Sequence, residues 1–198
     1  AEQAAFFDIP IDRHPRVLTV GQIKHRKGQL DTLKALAKIK DHYPDFFYVI
    51  VGSDEDPRYI AEIKKFAAEN GLERNIKLVH NAKGDKPLRF FYAMADVFAM
   101  NSNNDGDHFE GFGLVFLEAE QFGKPVIGSS GCGIEQALED GYNGYLTRQS
   151  DINDIADKFK KLFSGDMKAF GEHSKEFYKR FTWEKTTAAY IEHYNQKT

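Results

Sequence analysis

Two carboxylates and two glycines stand close together in the stretch FEGFGLVFLE, residues 109–118. Glu110 and Glu118 bracket Gly111, Gly113 and a run of large apolar side chains. Because an ionised carboxylate is costly to bury without a partner, both side chains must reach solvent or meet hydrogen-bond donors. Carboxylates accept hydrogen bonds from vicinal hydroxyls such as those of a ribose or a hexose. The stretch therefore suits one elongated ligand that carries hydroxyl groups.

The same stretch predicts a helix that begins near Gly111 or Phe112. The first N–H groups of a helix lack intrahelical acceptors and lie at its positive end, and glycines let an anion approach them closely. On one helix, Glu110 and Glu118 would be separated by roughly 12 Å along the axis. That separation is too large for an acid–base pair. The alternative is that Glu118 is an exposed helix residue and Glu110 only a partner of the helix dipole.

A basic loop, GQIKHRKG (21–28), follows a predicted buried strand and precedes a predicted helix. Lys24, His25, Arg26 and Lys27 place cations beside a helix N-terminus, which is a favourable site for phosphate. The loop lacks both the G-x-G-x-x-G and the Walker A patterns. A solvated basic turn is therefore the alternative interpretation.

Other chemistries have weaker support. Asp105 and Asp107 form a D-x-D pair of the kind that suits Mg²⁺ or Mn²⁺. They lie among Asn and Gly residues, which favour a structural turn. The seven histidines show no spacing typical of a zinc site. Cys132 has no evident general base near it in the sequence, so we treat it as incidental.

Composition restricts the class of protein. The chain has 198 residues, 41% hydrophobic residues and a net charge of −3, which is ordinary for one globular domain and gives no nucleic-acid footprint. The single cysteine favours a reducing compartment, so we expect a cytoplasmic protein. No apolar run is long enough to span a bilayer.

Short apolar segments alternate with longer helical ones. The predicted strands are 16–21, 46–52, 75–80, 96–102, 124–130 and 144–146. The predicted helices are 29–44, 57–71, 86–95, the one that opens near 111, a short one over 135–139, and a tail over 152–195. This alternation predicts an α/β fold, a doubly wound, Rossmann-like parallel sheet with helices on both faces. Ligands of such sheets bind at the loops that follow the strands.

Four segments, taken in order and spacing, resemble the C-terminal domain of retaining family-4 glycosyltransferases. They are VGQIKHRKG, FEGFGLVFLEAEQFGKPVIGSS, GIEQALEDGYNGYL and FTWEKTTAAYIEHY, and the resemblance covers residues 16–195. Its most specific element is the E-x₇-E motif from Glu110 to Glu118. The resemblance implies a GT-B architecture of two Rossmann-like domains, of which residues 1–198 form the domain that binds the nucleotide sugar.

The resemblance also implies a role for each matching residue. Lys27 would hold the donor diphosphate and Glu110 would contact hydroxyls of the transferred sugar, so both are expected to be catalytic. Glu118 would bind the ribose hydroxyls, the helix start would cradle the diphosphate, and residues 81–83 would edge the base. The full set expected to bind substrate is Gly21, Gln22, Lys27, Asn81, Ala82, Lys83, Gly111, Phe112, Gly113, Leu114 and Glu118. Neither a metal nor another cofactor is expected, because Lys27 and the helix dipole can stabilise the leaving diphosphate.

This chain departs from the family pattern in three places. Gln22 stands where the family usually has Arg, which removes a phosphate cation that Lys24 or Arg26 could replace. Asn101 and Ser102 replace the usual Pro-Ser pair. The usual Pro is also missing before the Glu of the segment GCGIE.

An acceptor-binding N-terminal domain is expected to be missing from this chain, because 198 residues have room for only one domain. The tail 181–198 would pack toward that domain through an apolar side formed by Trp183, Tyr190, Ile191 and Tyr194. The chain alone is expected to catalyse little. Its expected partner is a nucleoside-diphosphate sugar of the UDP or GDP type, and peripheral membrane association through the missing domain stays open. A non-catalytic nucleotide- or partner-binding domain and a sugar-nucleotide epimerase are the alternatives.

Overall fold

Six short strands alternate with helices along the chain, as the sequence predicts. The computed structural model describes residues 2–80, 82 and 84–195. The strands are β1 (Arg16–Val20), β2 (Phe47–Val51), β3 (Ile76–Val79), β4 (Val97–Met100), β5 (Val126–Ser129) and β6 (Gly144–Thr147). They form one parallel sheet in the order β3-β2-β1-β4-β5-β6. The predicted doubly wound fold is confirmed.

Eight α-helices occur in the described residues. They are α1 (Glu2–Phe6), α2 (Gln29–Lys38), α3 (Pro57–Glu69), α4 (Asp85–Met94), α5 (Leu114–Gln121), α6 (Ile152–Ser164), α7 (Met167–Tyr178) and α8 (Trp183–Asn195). Helix α2 ends earlier than predicted, since the chain turns where His42 and Tyr43 both donate to the carbonyl of Ile39. The short helix predicted over 135–139 is wrong. A 3-10 turn over Gly133–Gln136 replaces it, because Asn143 Oδ1 accepts from the N–H of Glu139, 2.8 Å away, and draws the chain off the helical path.

The sheet separates two hydrophobic core layers. Side chains alternate across β2, so that Tyr48 and Ile50 face one layer while Val49 and Val51 face the other. Helices α2, α3 and α6 cover the first layer, with fully buried residues such as Leu36, Ile63 and Phe159. Helices α4 and α5 cover the second layer, with Phe91 and Phe116 fully buried.

The direction of the strand order reverses between β1 and β4, and the loops after these two strands interlock there. Asn103 N donates to Arg26 O at 2.8 Å. Gly28 has a positive φ of 66°, and a Cβ at this position would lie 1.8 Å from the carbonyl oxygen of Asn101. Buried Asn101 also donates to Thr32 Oγ1 at 2.8 Å and accepts from Thr147 Oγ1 at 2.9 Å. The unusual Asn101 therefore fixes the basic loop to the end of β4.

The last helix, α8, presents large apolar side chains to solvent. The exposed fractions are 84% for Trp183, 75% for Tyr190, 56% for Ile191 and 72% for Tyr194. Packing of this side against another domain stays a prediction. Across the described part of the chain, no helix has the length and apolarity needed to cross a membrane.

Candidate functional site

Two cations from the loop after β1 meet a carboxylate from the loop after β4. Lys27 Nζ lies 2.5 Å from Glu110 Oε2, and Arg26 Nη1 lies 3.2 Å from the same oxygen. All three side chains are largely buried, with exposed fractions of 12% for Lys27, 18% for Arg26 and 13% for Glu110. Charge-assisted hydrogen bonds of this kind are short and strong. The cluster holds two positive charges against one negative charge, so it favours a further anion.

The helix predicted to begin near Gly111 or Phe112 begins at Leu114 instead. Gly113 takes a left-handed conformation with φ 79°, which a continuous right-handed helix excludes. Glu110 therefore lies in the loop before the helix, and the predicted separation of roughly 12 Å from Glu118 along one helix axis does not apply. Its carboxylate is held by side chains of another loop and not by the helix start.

The start of α5 offers several backbone donors. The N–H groups of Phe112, Gly113, Leu114 and Val115 have no hydrogen-bond acceptor among the described residues. The Leu114 side chain is exposed, and a Cβ at Gly111 would meet nothing within 4 Å. Unpaired N–H groups at the positive end of a helix form a ready anion site. These donors directly follow the residue that holds Lys27.

Gly133 supports the other side of this loop. Its N–H donates to the carbonyl of Glu110 at 2.8 Å. A Cβ at Gly133 would lie 1.6 Å from the carbonyl oxygen of Gly111. The turn after β5 therefore packs against the backbone of residues 110–111 on one side. The side of Gly111 on which a Cβ would lie is open.

This contrast predicts that glycine-to-alanine substitutions at the two positions change the stability of the fold by different amounts. Gly111→Ala is expected to change the free energy of unfolding by less than about 1 kcal/mol, because the methyl group enters open space. Gly133→Ala is expected to lower it by about 1–3 kcal/mol, because the methyl group collides with backbone. Urea denaturation of both variants measures the difference, and equal losses would contradict the packing described here.

Glu118 lies on α5 with an exposed side chain. Its Oε2 accepts a hydrogen bond from the hydroxyl of Tyr92 at 2.6 Å. Tyr92 itself is buried on α4, and burial together with the Glu118 carboxylate raises the pKa of the Tyr92 hydroxyl. The phenol therefore stays a hydrogen-bond donor across the neutral range.

Gly21 and Gln22 lie at the end of β1, beside the cluster. The N–H of Gly21 donates to Val51 O at 2.9 Å, and a Cβ at Gly21 would come within 4.0 Å of Lys27 Cε. Gln22 Nε2 donates to Glu55 Oε2 at 2.9 Å, and Lys24 Nζ donates to Gln22 Oε1 at 2.6 Å. Lys24 is therefore held at the rim by Gln22, whereas Arg26 turns toward Glu110.

The remaining candidates are separate from this cluster. Asn81 and Lys83 lie outside the described residues, and Ala82 is half-buried against the second core layer. Asp105 and His108 exchange backbone hydrogen bonds of 2.9 Å, so the D-x-D pair lies in a tight turn. Within residues 2–80, 82 and 84–195, no three His, Cys, Asp or Glu side chains are grouped to hold a metal ion. Burial raises the pKa of the Cys132 thiol, which disfavours the nucleophilic thiolate.

Three residues of this site were not assigned by sequence reasoning. The sequence predicts Arg26 as one cation of the basic loop but not as a partner of Glu110, although its position beside Lys27 is a signal for that pairing. Tyr92 and Gly133 carry no such signal. Their contacts join distant segments, so only the tertiary structure shows them.

Residues 2–181 match the sequence profile of the family described as Glycosyl transferases group 1. The chain belongs to this family. A curated relative, the D-inositol 3-phosphate glycosyltransferase of Corynebacterium urealyticum, is 32% identical over 184 residues, which are 88% of this chain and 41% of the relative. The chain spans less than half the length of such relatives.

Solved glycosyltransferase structures share this fold. The crystal structure of Anabaena HepE in complex with UDP and glucose superimposes with a TM-score of 0.82 at 20% identity, over 98% of this chain and 51% of HepE. The C-terminal domain of a glycosyl transferase group 1 family protein, LpcC of Francisella tularensis, gives a TM-score of 0.75 at 24% identity over 89% of each chain. The family match and the shared fold together confirm the resemblance to a GT-B glycosyltransferase domain.

Proposed function

We propose that this group 1 glycosyltransferase domain is the nucleotide-sugar-binding half of a retaining enzyme. The complete protein would move a sugar from a nucleoside diphosphate to a hydroxyl acceptor and keep the anomeric configuration. One observation carries the proposal. The unpaired N–H groups at the start of α5 directly follow Glu110, which is held by Lys27 and Arg26.

The diphosphate would bind where these donors meet the cations. Backbone N–H groups and a helix N-terminus stabilise phosphate, and Lys27 adds a point charge. The Lys27 ammonium has three donors, so it can bond Glu110 and a phosphate oxygen together. The same groups would stabilise the negative charge that develops on the leaving diphosphate during transfer.

Each candidate carboxylate is held through one oxygen and offers the other. Both cations bond Glu110 Oε2, and Tyr92 bonds Glu118 Oε2. Oε1 of each residue has no hydrogen-bond partner among the described residues. We assign Glu110 Oε1 to a hydroxyl of the transferred sugar and Glu118 Oε1 to the ribose hydroxyls of the donor. Residues 81–83 and Gly21 with Gln22 would line the rest of the donor site.

The complete protein is expected to include a second domain that binds the acceptor. The group 1 relatives are about twice as long as this chain, and the aromatic side of α8 is available to pack toward such a domain. We place the activity in the cytoplasm, and the second domain is where any peripheral contact with the inner face of a membrane would arise. HepE was crystallised with UDP, which supports UDP as a first probe, and GDP is the second.

Calorimetric titration of the chain with UDP, GDP and ADP tests the proposal. At least one nucleotide is expected to bind with a Kd of about 1 mM or tighter. Glu118→Ala is expected to weaken that binding by about tenfold, because the hydrogen bond that a ribose hydroxyl donates to the charged carboxylate is lost. Glu172→Ala is the matched control, since Glu172 lies on α7 and its one ion pair among the described residues is with Lys175. No binding, or the same Kd for Glu118→Ala and the parent, would contradict the site assignment.

A further inference from the structure

Tyr92 joins α4 to the exposed carboxylate of Glu118. The Tyr92 side chain is 3% exposed, yet its hydroxyl reaches Glu118 Oε2 at 2.6 Å. The two residues are 26 positions apart in the sequence. This hydrogen bond therefore links α4 to α5 through the hydroxyl of Tyr92, whose ring is buried.

The ring of Tyr92 is held firmly by its neighbours. It lies 5.8 Å from the ring of Phe122 in a stacked arrangement and 6.1 Å from the ring of Phe98, which belongs to β4. Packing on two sides leaves the phenol few rotamers, so the position of its hydroxyl is well defined. A rigid donor of this kind also restricts the carboxylate that it bonds.

Glu118 gains a defined orientation from this bond. A glutamate side chain at a helix surface samples many rotamers, and ordering it when a ligand binds weakens the binding. Tyr92 holds Oε2, whereas Oε1 has no partner among the residues that the structure describes. The carboxylate is therefore arranged before any ligand arrives, with one acceptor free.

We propose that Tyr92 is a positioning residue that presents Glu118 Oε1 to the vicinal ribose hydroxyls of the donor nucleotide. This inference rests on the proposed function, since it takes Glu118 as the ribose acceptor. Tyr92 does not touch the ligand. It selects ligands with a ribose over ligands with a deoxyribose, because only a fixed carboxylate gains a full hydrogen bond from the 2′-hydroxyl.

Removal of the Tyr92 hydroxyl tests this role when it is combined with removal of the ligand hydroxyl. The binding constants of UDP and 2′-deoxy-UDP, and of GDP and 2′-deoxy-GDP, are measured by titration calorimetry with the whole chain. The ratio of the two Kd values in each pair reports the contribution of the 2′-hydroxyl. In the parent chain we expect a ratio of about ten, and in Tyr92→Phe a ratio of about two or three.

Tyr48→Phe is the matched control. Tyr48 is also fully buried, and its hydroxyl bonds Thr19 Oγ1 at 2.8 Å inside the other core layer. Both variants lose one buried tyrosine hydroxyl bond, so both are expected to lower the melting temperature. Only Tyr92→Phe is expected to lower the ratio of Kd values. A Tyr92→Phe chain that loses stability but keeps the parent ratio would overturn the positioning role.

Glu118→Gln separates this inference from the proposed function. If Glu118→Gln lowers the ratio and Tyr92→Phe does not, only the positioning role fails. If Glu118→Gln keeps the parent ratio, the ribose assignment of the proposed function fails and the inference fails with it. If the proposals hold, the double variant Tyr92→Phe/Glu118→Gln has the same ratio as Glu118→Gln alone, because the two residues act as one unit. Absence of binding by both UDP and GDP would overturn both.

Discussion

Replacement of Lys27 by Met is expected to weaken binding of a nucleoside diphosphate by about 10- to 100-fold, the range for loss of a charged hydrogen bond. Lys27 Nζ is the nearest cation to Glu110 and lies beside the unpaired donors of α5. Met keeps most of the length of the side chain and removes the charge. Titration calorimetry with UDP and GDP measures the effect. In the complete enzyme, we expect kcat to fall by about 10²–10³-fold, as when one donor to a developing anion is removed.

Lys24→Met is the matched control for this prediction. Lys24 belongs to the same loop, but its ammonium bonds Gln22 and not Glu110. Its removal is expected to change the Kd by less than about threefold, since an exposed charge at the rim is largely screened by salt. Equal losses for Lys24→Met and Lys27→Met would mean that the loop acts only through its net charge. The phosphate role of Lys27 would then be wrong.

Replacement of Glu120 by Gln is expected to stabilise the fold at alkaline pH. Glu120 is fully buried on α5, and its Oε1 accepts from Asn143 Nδ2 at 2.9 Å. Its Oε2 has no partner among the described residues. Burial raises the pKa of this carboxyl to about 9 from the ordinary value of 4.5. The carboxyl is therefore neutral in the folded protein at pH 7 and ionised in the unfolded chain.

The direction of the pH dependence follows from these two pKa values. Below the unfolded pKa of 4.5, both states hold the proton and the Glu120 contribution is complete. From there to about 9, only the folded state holds it, so the free energy of unfolding falls as pH rises. The slope is about 1.4 kcal/mol per pH unit for one proton.

Gln has the shape of the neutral acid and does not titrate, so Glu120→Gln removes this contribution. Urea denaturation of the parent and the variant at about pH 5, pH 7 and pH 8 measures the difference between them. We expect the two stabilities to be close at the lowest pH and the variant to be more stable by several kcal/mol at the highest. A difference that does not change with pH would contradict a neutral Glu120. The Kd for UDP is expected to stay the same.

The sheet could be predicted from the sequence because each strand is a short apolar run bounded by turn residues. The segments at 16–21 and 46–52 differ from β1 and β2 by at most one residue at each end. Wholly apolar strands require cover on both faces, and the helical periodicity between them supplies it. Local pattern and global fold agree throughout this part of the chain.

The start of α5 could not be predicted in the same way. The sequence predicts a helix that begins near Gly111 or Phe112, whereas Gly113 takes the left-handed conformation and the helix begins only at Leu114. A sequence pattern shows that glycine permits such a conformation but not that it is adopted. The predicted start is two or three residues too early, and Glu110 lies in the loop before the helix, where it contacts two cations.

The contacts of the candidate site are tertiary, and this is why sequence reasoning missed some of them. From the sequence, only the resemblance to a known family places Glu110 and Lys27 in one site. The bond between Tyr92 and Glu118 and the support that Gly133 gives to Glu110 join segments with no shared pattern. The partners of Gln22 are also visible only in the tertiary structure. Its side chain bonds Glu55 and Lys24 at the rim of the site.

We expect a nucleoside diphosphate to bind at the start of α5 against Lys27. ¹H–¹⁵N correlation spectra of the labelled chain, recorded during titration with UDP and then with GDP up to about 10 mM, test it most directly, because they detect weak binding and locate it. We predict that the largest shifts occur at Gly111, Gly113 and Leu114 and in the basic loop at Lys27 and Gly28. Spectra that do not change with either nucleotide, or shifts confined to surfaces such as α8, would contradict binding at this site.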